Sequence, residues 1–318
     1  MFNRYWREYP WLFQFLQFII LVFIFGSFFS IAIIPLLAKF TGVPLSDVAL
    51  LSENSPRNIT RAALLYQFIS SVGIFLIPAF LFGYFTHPRP LEYLGLRKQG
   101  KPIQVFLVVL IMLGALPVMV EITSWLSHVK LNNSLQKLQE ENERMTKGFL
   151  TMPQLIDFLL GFVVFAIVPA LGEELFFRGV MLRLAAKKNR SHINSNALTA
   201  LVFALFHFNV YGFIAILIAG SILGSIYYLT GSLWMSIIAH MLNNGLQIIL
   251  VFFLKDNATA QAMVQDNSLP WYLPAFGFVL CVVSIYLLWK NRTPLPNDWP
   301  SDFTAEELEA QKQEINNV

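Results

Sequence analysis

Apolar runs of about twenty residues follow one another along most of this chain, and a run of that length is what an α-helix needs to cross a ~30 Å hydrocarbon core. Eight are marked: 12–38, 62–85, 103–127, 154–176, 195–210, 212–229, 232–254 and 271–289. Composition agrees, with 56% hydrophobic and 13% charged residues against roughly 25% charged in soluble domains. The expected fold class is all-α, a polytopic membrane helical bundle of eight transmembrane helices. Only Asn209, Tyr211 and Gly212 suggest a turn between the fifth and sixth runs. The first run exceeds the ~7–15 apolar residues of a signal peptide and lacks a small-residue cleavage site, so it reads as a retained span.

Cations outside the runs set the orientation. Arg4 and Arg7 precede the first span; Arg89, Arg97, Lys98 and Lys101 follow the second; Arg183, Lys187, Lys188 and Arg190 follow the fourth; Lys290 and Arg292 close the eighth. The positive-inside rule places all four groups, and with them both termini, on the cytoplasmic side. The expected location is a bacterial cytoplasmic membrane. The opposite loops hold Lys39, Arg57, Arg61, Lys130, Lys137, Arg144 and Lys147, diluted by Glu140, Glu141 and Glu143. Cations spread over both faces form no single stripe, so a nucleic-acid partner is excluded and they read as membrane anchors. The run from Asn132 to Lys147 reads equally as an amphipathic surface helix or a hydrophilic loop. The acidic tail from Asn297, with Glu306, Glu307, Glu309 and Glu314, reads as a solvated or partly helical end. The single cysteine, Cys281, allows no intrachain disulfide or metal-thiolate cluster, and reads as a core residue.

Against this apolar background three polar clusters stand out: Glu173-Glu174 with Arg178, Phe203 with His207, and His240 with Asn244. An ionisable side chain in hydrocarbon costs at least ~2.5 kcal/mol, so such residues persist where they line a cavity and pair. On a helix, positions four apart lie over one another while neighbours diverge by about 100°. Glu174 and Arg178 therefore form a pair and Glu173 faces elsewhere, free to take a proton. His240 projects with Asn244 from one face, and Phe203 with His207 from another. At 1.5 Å per residue from Lys188 and Ser195, Glu173 lies ~22 Å and His207 ~18 Å deep, so the two can meet; His240, ~12 Å beyond Ser232, is shallower unless its helix starts later or tilts, and if the fourth helix projects into the cytoplasm every depth on it shrinks. Pro169, one turn before Glu173, is placed to kink the helix and free carbonyls near the site.

A carboxylate and a histidine flanking one water can deprotonate it for attack on a carbonyl, while a second histidine and an amide hydrogen-bond the resulting oxyanion. Two histidines and a glutamate also match a zinc ligand set. The HExxH spacing is absent, and no Ser-His-Asp or Cys-His set has a better claim.

These residues resemble the type II CAAX prenyl endopeptidases and their bacterial relatives, the CPBP or Abi intramembrane proteases, whose motifs EExxxR, FxxxH and HxxxN lie on successive helices of an eight-span core. Here the motifs read Glu173-Glu174-Leu175-Phe176-Phe177-Arg178, then Phe203 to His207, then His240 to Asn244, in that order. The resemblance implies that Glu173 and His207 activate water, that His240 and Asn244 form the oxyanion site, that Glu174 and Arg178 support them, and that the cavity opens to the cytoplasm. It implies a catalytic core over 154–254, between N-terminal spans with an outer loop over 1–153 and a last span with an acidic tail over 255–318. The implied activity is intramembrane endopeptidase action on a membrane-associated peptide or protein, in CAAX-type processing or in bacteriocin processing and self-immunity. No resident cofactor is expected; the metalloprotease alternative uses Glu173, His207 and His240 as ligands of a divalent metal such as zinc. Two rival readings are a catalytically silent scaffold or immunity protein of the same fold, and a proton-coupled transporter. Against the transporter, the polar residues crowd into one half and no inverted repeat is evident.

Overall fold

The computed structural model describes residues 6–7, 9–96, 98–189, 191–254 and 269–316; the readings placed on Arg4, Arg97 and Arg190 lie outside them. Among the described residues the regular elements are helices. In chain order they are α1 (Trp11–Thr41), α2 (Arg57–Thr86), α3 (Pro102–Ser127), α4 (Asn133–Leu150), α5 (Leu155–Asn189), α6 (His192–Leu205), α7 (Phe213–Thr230), α8 (Leu233–Leu254), α9 (Tyr272–Lys290) and α10 (Ala305–Asn316), with short helical turns at Leu45–Ala49 and Pro90–Tyr93. Seven of these, α1 to α3, α5 and α7 to α9, are long and apolar enough to cross a membrane. The molecule is an integral membrane protein, an all-α polytopic bundle.

The expected eighth crossing is the correction. The run 195–210 folds as α6, whose 14 residues span ~21 Å at 1.5 Å per residue, short of the ~30 Å core. Phe206 and Phe208 prolong the apolar run after the backbone has already turned, and Phe208 sits in the left-handed region at φ 48°. α6 still packs antiparallel to α7: Phe203 and Ala200 face Gly220, and Asn196 faces Gly224. A Cβ at Gly220 would lie 3.1 Å from the Phe203 ring, and one at Gly224 only 1.8 Å from Asn196 Oδ1. This pair of small residues one turn apart is what lets the helices meet closely, and Asn196 Nδ2 uses the proximity to donate to Ser221 O at 2.9 Å.

Contacts sort the connections onto two ends of the bundle. On one, the terminal face, Leu233 N donates to Gly95 O at 3.1 Å, Thr293 N to Leu229 O at 2.8 Å, and Gln104 Nε2 to Asn291 O at 3.0 Å. On the other, the distal face, Arg144 Nη1 donates to Leu51 O at 2.6 Å, Tyr211 Oη to Val129 O at 3.3 Å, and Leu269 N to Glu121 Oε2 at 3.4 Å. Cys281 is buried on α9.

The tail is the partly helical end of the two readings, over Ala305–Asn316, and the segment before that helix is seated on the bundle. Arg183 is buried with its guanidinium 4.1 Å from the Tyr93 ring and 4.8 Å from that of Trp299, and it donates to the carbonyls of Tyr93, Trp299 and Ser301. Asp302 is buried against Lys187 and accepts from Gln14 Nε2 at 2.6 Å. Glu306 pairs with Arg89 at 3.1 Å and Glu307 with Arg7 at 2.9 Å. Both ends of the chain therefore share the terminal face, and four cations read as lipid anchors instead hold the tail. The same clamp explains why α5 runs on to Asn189, well past the apolar stretch that ends at 176: its basic last turns are seated on the tail. Residues 304–307 form a capping box, with Thr304 N donating to Glu307 Oε2 at 2.9 Å and Glu307 N to Thr304 Oγ1 at 3.2 Å.

Three spans are interrupted by π-turns at Phe29–Ile33, Val72–Leu76 and Val163–Ile167, each ending two residues before a proline, Pro35, Pro78 and Pro169. Proline withholds the N–H that the carbonyl four residues back would accept, and the wider turn absorbs the mismatch. α5 holds another, Leu175–Met181, beginning directly after Glu174.

For Glu307, burial alone raises the carboxyl pKa, but the Thr304 N–H and the Arg7 fork outweigh it and leave it below the usual carboxylate range. A depressed carboxyl contributes stability that is fully present above its unfolded value of about 4.3 and is lost as pH falls through the folded value. Protease cleavage within 300–316 is thus expected to accelerate as pH drops below about 4, with Arg7→Gln flattening that dependence; equal pH profiles for the two proteins would refute the coupling.

Candidate active site

α5, α6, α7 and α8 bring the predicted polar residues together in the middle of the bundle. Glu174 and Arg178 are the deepest, with side chains 0% and 1% exposed and a 2.7 Å contact between Nη1 and Oε1. Arg178 also donates from Nη2 to Gly220 O at 2.8 Å, and its guanidinium lies 4.7 Å from the centre of the Phe203 ring. The paired carboxylate then takes a second donor: His240 Nδ1 lies 2.9 Å from Glu174 Oε1. Since the carboxylate only accepts there, the Nδ1 proton sits between the two groups and Nε2 is left for other work.

That Nε2 points toward Glu173, 4.0 Å from Oε2. No protein group among the described residues hydrogen-bonds Glu173 Oε2. The sequence expectation that Glu174 takes the arginine and Glu173 stays free thus describes the geometry. His240 stands beside Glu173, an approach the depth estimate allowed only if a helix shifts or projects.

His207 lies just beyond the end of α6, half-buried, with Nδ1 2.8 Å from Phe203 O and its ring 4.6 Å from that of Phe203. A carbonyl accepts, so Nδ1 carries the proton and Nε2 is again the free nitrogen. Asn244 has one amide N–H committed, donated from Nδ2 to Phe165 O at 3.0 Å. Phe165 is the residue whose carbonyl Pro169 deprives of a helical partner, so the kink expected at Pro169 orients Asn244. Asn243, unremarked in the sequence, donates from Nδ2 to Asn244 Oδ1 at 3.0 Å.

His207, His240, Asn243 and Asn244 line a cavity of about 630 Å³, together with residues between Leu116 and Ser127 along the second half of α3, apolar residues of α7, Gln139 and Glu143 of α4, and Asn209 and Tyr211 of the loop after α6.

Sequence reasoning missed Gln139. It is 4% exposed on α4, and its Oε1 accepts from Val210 N at 3.0 Å and Tyr211 N at 3.4 Å while its Nε2 donates to Glu143 Oε1 at 2.8 Å. Asn142 Nδ2 adds a 3.4 Å bond to His207 O. The polar run 132–147 is thus a helix, capped by Asn132 Oδ1 on Ser134 N and Leu135 N, and its buried polar side holds the loop that carries His207. A glutamine inside an otherwise hydrophilic run leaves no sequence signal for this.

The metal alternative does not find its geometry. Among the described residues no three His, Cys, Asp or Glu side chains are arranged to hold an ion.

Two outcomes follow. Arg178→Leu strands a buried carboxylate and is expected to cost ~3–5 kcal/mol, read as a lower unfolding midpoint in detergent; an unchanged midpoint would show the pair to be dispensable. Gln139→Leu leaves two loop amides unpaired, a cost of ~1–3 kcal/mol, and should speed hydrogen exchange at Val210 and Tyr211 while the α5 core stays protected.

Residues 155–246, which contain all three motifs, match the family model described as Rce1-like, type II CAAX prenyl endopeptidase. Comparison with curated proteins and with solved structures gave no match.

Proposed function

From the membership of this chain in the Rce1-like family through residues 155–246, we propose that it is an intramembrane endopeptidase that hydrolyses a peptide bond with a carboxylate-activated water. The observation that carries this reading is the unpartnered Glu173 Oε2 4.0 Å from His240 Nε2, two facing acceptors that a water admitted with the substrate would satisfy. Glu173 takes a proton from that water as its oxygen attacks the substrate carbonyl carbon; the C–N bond then breaks and the amine leaves with the proton. His240 orients the water, held in turn by Glu174 and Arg178. The second N–H of Asn244, whose first is fixed on Phe165 O, is available to the oxyanion. His207 presents Nε2 to the cavity on the carbonyl and leaving-group side. This exchanges the parts that the resemblance gives to the two histidines.

The substrate is a membrane-associated peptide or protein segment, and the protein resides in a cytoplasmic membrane with both termini in the cytoplasm. Supporting the orientation are the basic groups that flank the terminal-face ends of the spans.

The test is cleavage of a quenched fluorescent, membrane-anchored peptide library by purified protein in detergent. Wild type is expected to cleave, with and without a strong chelator, and Glu173→Gln to be slower by roughly 10²–10⁴. Equal rates for wild type and Glu173→Gln would remove the proposed base, and no cleavage across the library would favour the silent scaffold.

A further inference from the structure

Among the described residues that line the cavity, one is a carboxylate, and the reaction proposed above gives it no part: Glu143 of α4. Its placement is set by a short relay. Val210 N and Tyr211 N donate to Gln139 Oε1 at 3.0 and 3.4 Å, and Gln139 Nε2 donates to Glu143 Oε1 at 2.8 Å. Gln139 is 4% exposed, so a buried amide, itself fixed by the loop after α6, holds the carboxylate in the cavity lining. The other oxygen, Oε2, has no hydrogen-bond partner among the described residues. Neighbouring cations do not neutralise it. Arg144 donates to the carbonyls of Leu51 and Ala49, and Lys147, one turn further along α4, makes no ion pair with it.

The rest of the lining makes the same demand. Among the described residues it holds no lysine or arginine. Its hydroxyl protons are committed to backbone carbonyls: Thr123 Oγ1 donates to Met119 O at 3.0 Å, Ser127 Oγ to Ser124 O at 2.7 Å, and Tyr211 Oη to Val129 O at 3.3 Å. Acceptors, by contrast, stand free. Asn243 Oδ1 is buried without a partner, and each histidine keeps Nε2 open because its Nδ1 proton is engaged. A cavity with surplus acceptors, one of them charged, and no cation of its own is completed by a group that donates only and carries positive charge. Ammonium and guanidinium are such groups, and a peptide carries them as lysine and arginine. We propose that Glu143 is a specificity-determining residue that receives a lysine or arginine side chain of the substrate segment, its Oε2 accepting from the cationic N–H groups. That the ligand is a cleavable peptide rests on the endopeptidase reading; the cation subsite rests on the Gln139–Glu143 relay. Leu116, Met119, Val120 and Leu223 offer apolar surface for the methylene stem and for the neighbouring residues of a membrane-associated segment.

The experiment uses full-length protein in detergent and quenched, membrane-anchored peptides in which one residue at a time, on either side of the cleaved bond, is lysine, norleucine or glutamate. Wild type is expected to show a position at which lysine raises kcat/KM over norleucine by roughly 10-fold or more, the size of one charge-assisted hydrogen bond. Glu143→Gln keeps an oxygen for Gln139 and loses only the charge, so the lysine-to-norleucine ratio is expected to fall to near one, through KM more than kcat. Glu143→Lys is expected to favour glutamate at the same position, and raised salt to shrink the wild-type preference. A wild type indifferent to charge at every position, or a Glu143→Gln protein that keeps the lysine preference, overturns the proposal. If no peptide is cut, binding of the lysine and norleucine forms, read by fluorescence anisotropy, decides. Tighter binding of the lysine form that Glu143→Gln abolishes keeps the cation subsite while the endopeptidase reading falls; equal binding of the two forms overturns the subsite as well.

Discussion

One guanidinium organises the centre of this molecule. Arg178 leaves α5, closes a 2.7 Å pair with Glu174 on its own helix, donates to a carbonyl of α7 and lies over an aromatic ring of α6. Through Glu174 it also fixes His240 of α8. Four helices thus depend on a charge that is fully withdrawn from water. A buried ion is tolerated only when its donors are used, and Arg178 serves better here than lysine would because its planar fork reaches a carboxylate and a carbonyl at once. The pair also protects the division between the two adjacent glutamates: Glu174 is occupied by two donors, so Glu173 keeps its lone pairs for something that enters.

Much of this was legible in the sequence because it depended on local geometry. The four-residue spacing from Glu174 to Arg178 selects the pair wherever the helix is placed, and Pro169 announces a freed carbonyl whatever picks it up. The spans were legible for a similar reason, since each is an apolar run bounded by polar residues. What stayed hidden depended on where separate segments meet. The length of α6 was hidden because Phe206 and Phe208 are apolar without being helical, and hydropathy does not register a change of backbone direction. That His240 stands beside Glu173 depended on how α5 and α8 pack, and α5 is held in turn by Arg183 and Lys187 finding Trp299 and Asp302 more than a hundred positions away. Gln139 was invisible because its partners are backbone amides of a distant loop.

The two sides of the bundle are built for different work. The terminal face is a dense arrangement of paired charges and aromatic rings, with Arg183 seated between Tyr93 and Trp299. At the distal end, α4 contributes Gln139 and Glu143 to the cavity that the histidines line. The loop that presents His207 is fastened by side chains of α4 as well as by the His207 bonds to its own helix, so the position of that imidazole is set in part by an element with no share in the three motifs.

The tail clamp bears on what holds the first helix to the bundle. Along its whole length α1 buries only Gln14 and Phe18, so its attachment leans heavily on the contacts made near its start. Those partners are Asp302 and Glu307, 288 and 300 positions along the chain from Gln14 and Arg7. The first helix and the tail are thus one structural unit, and whatever loosens Asp302 or Glu307 leaves α1 to the rings of Phe82 and Phe176 that Phe18 touches.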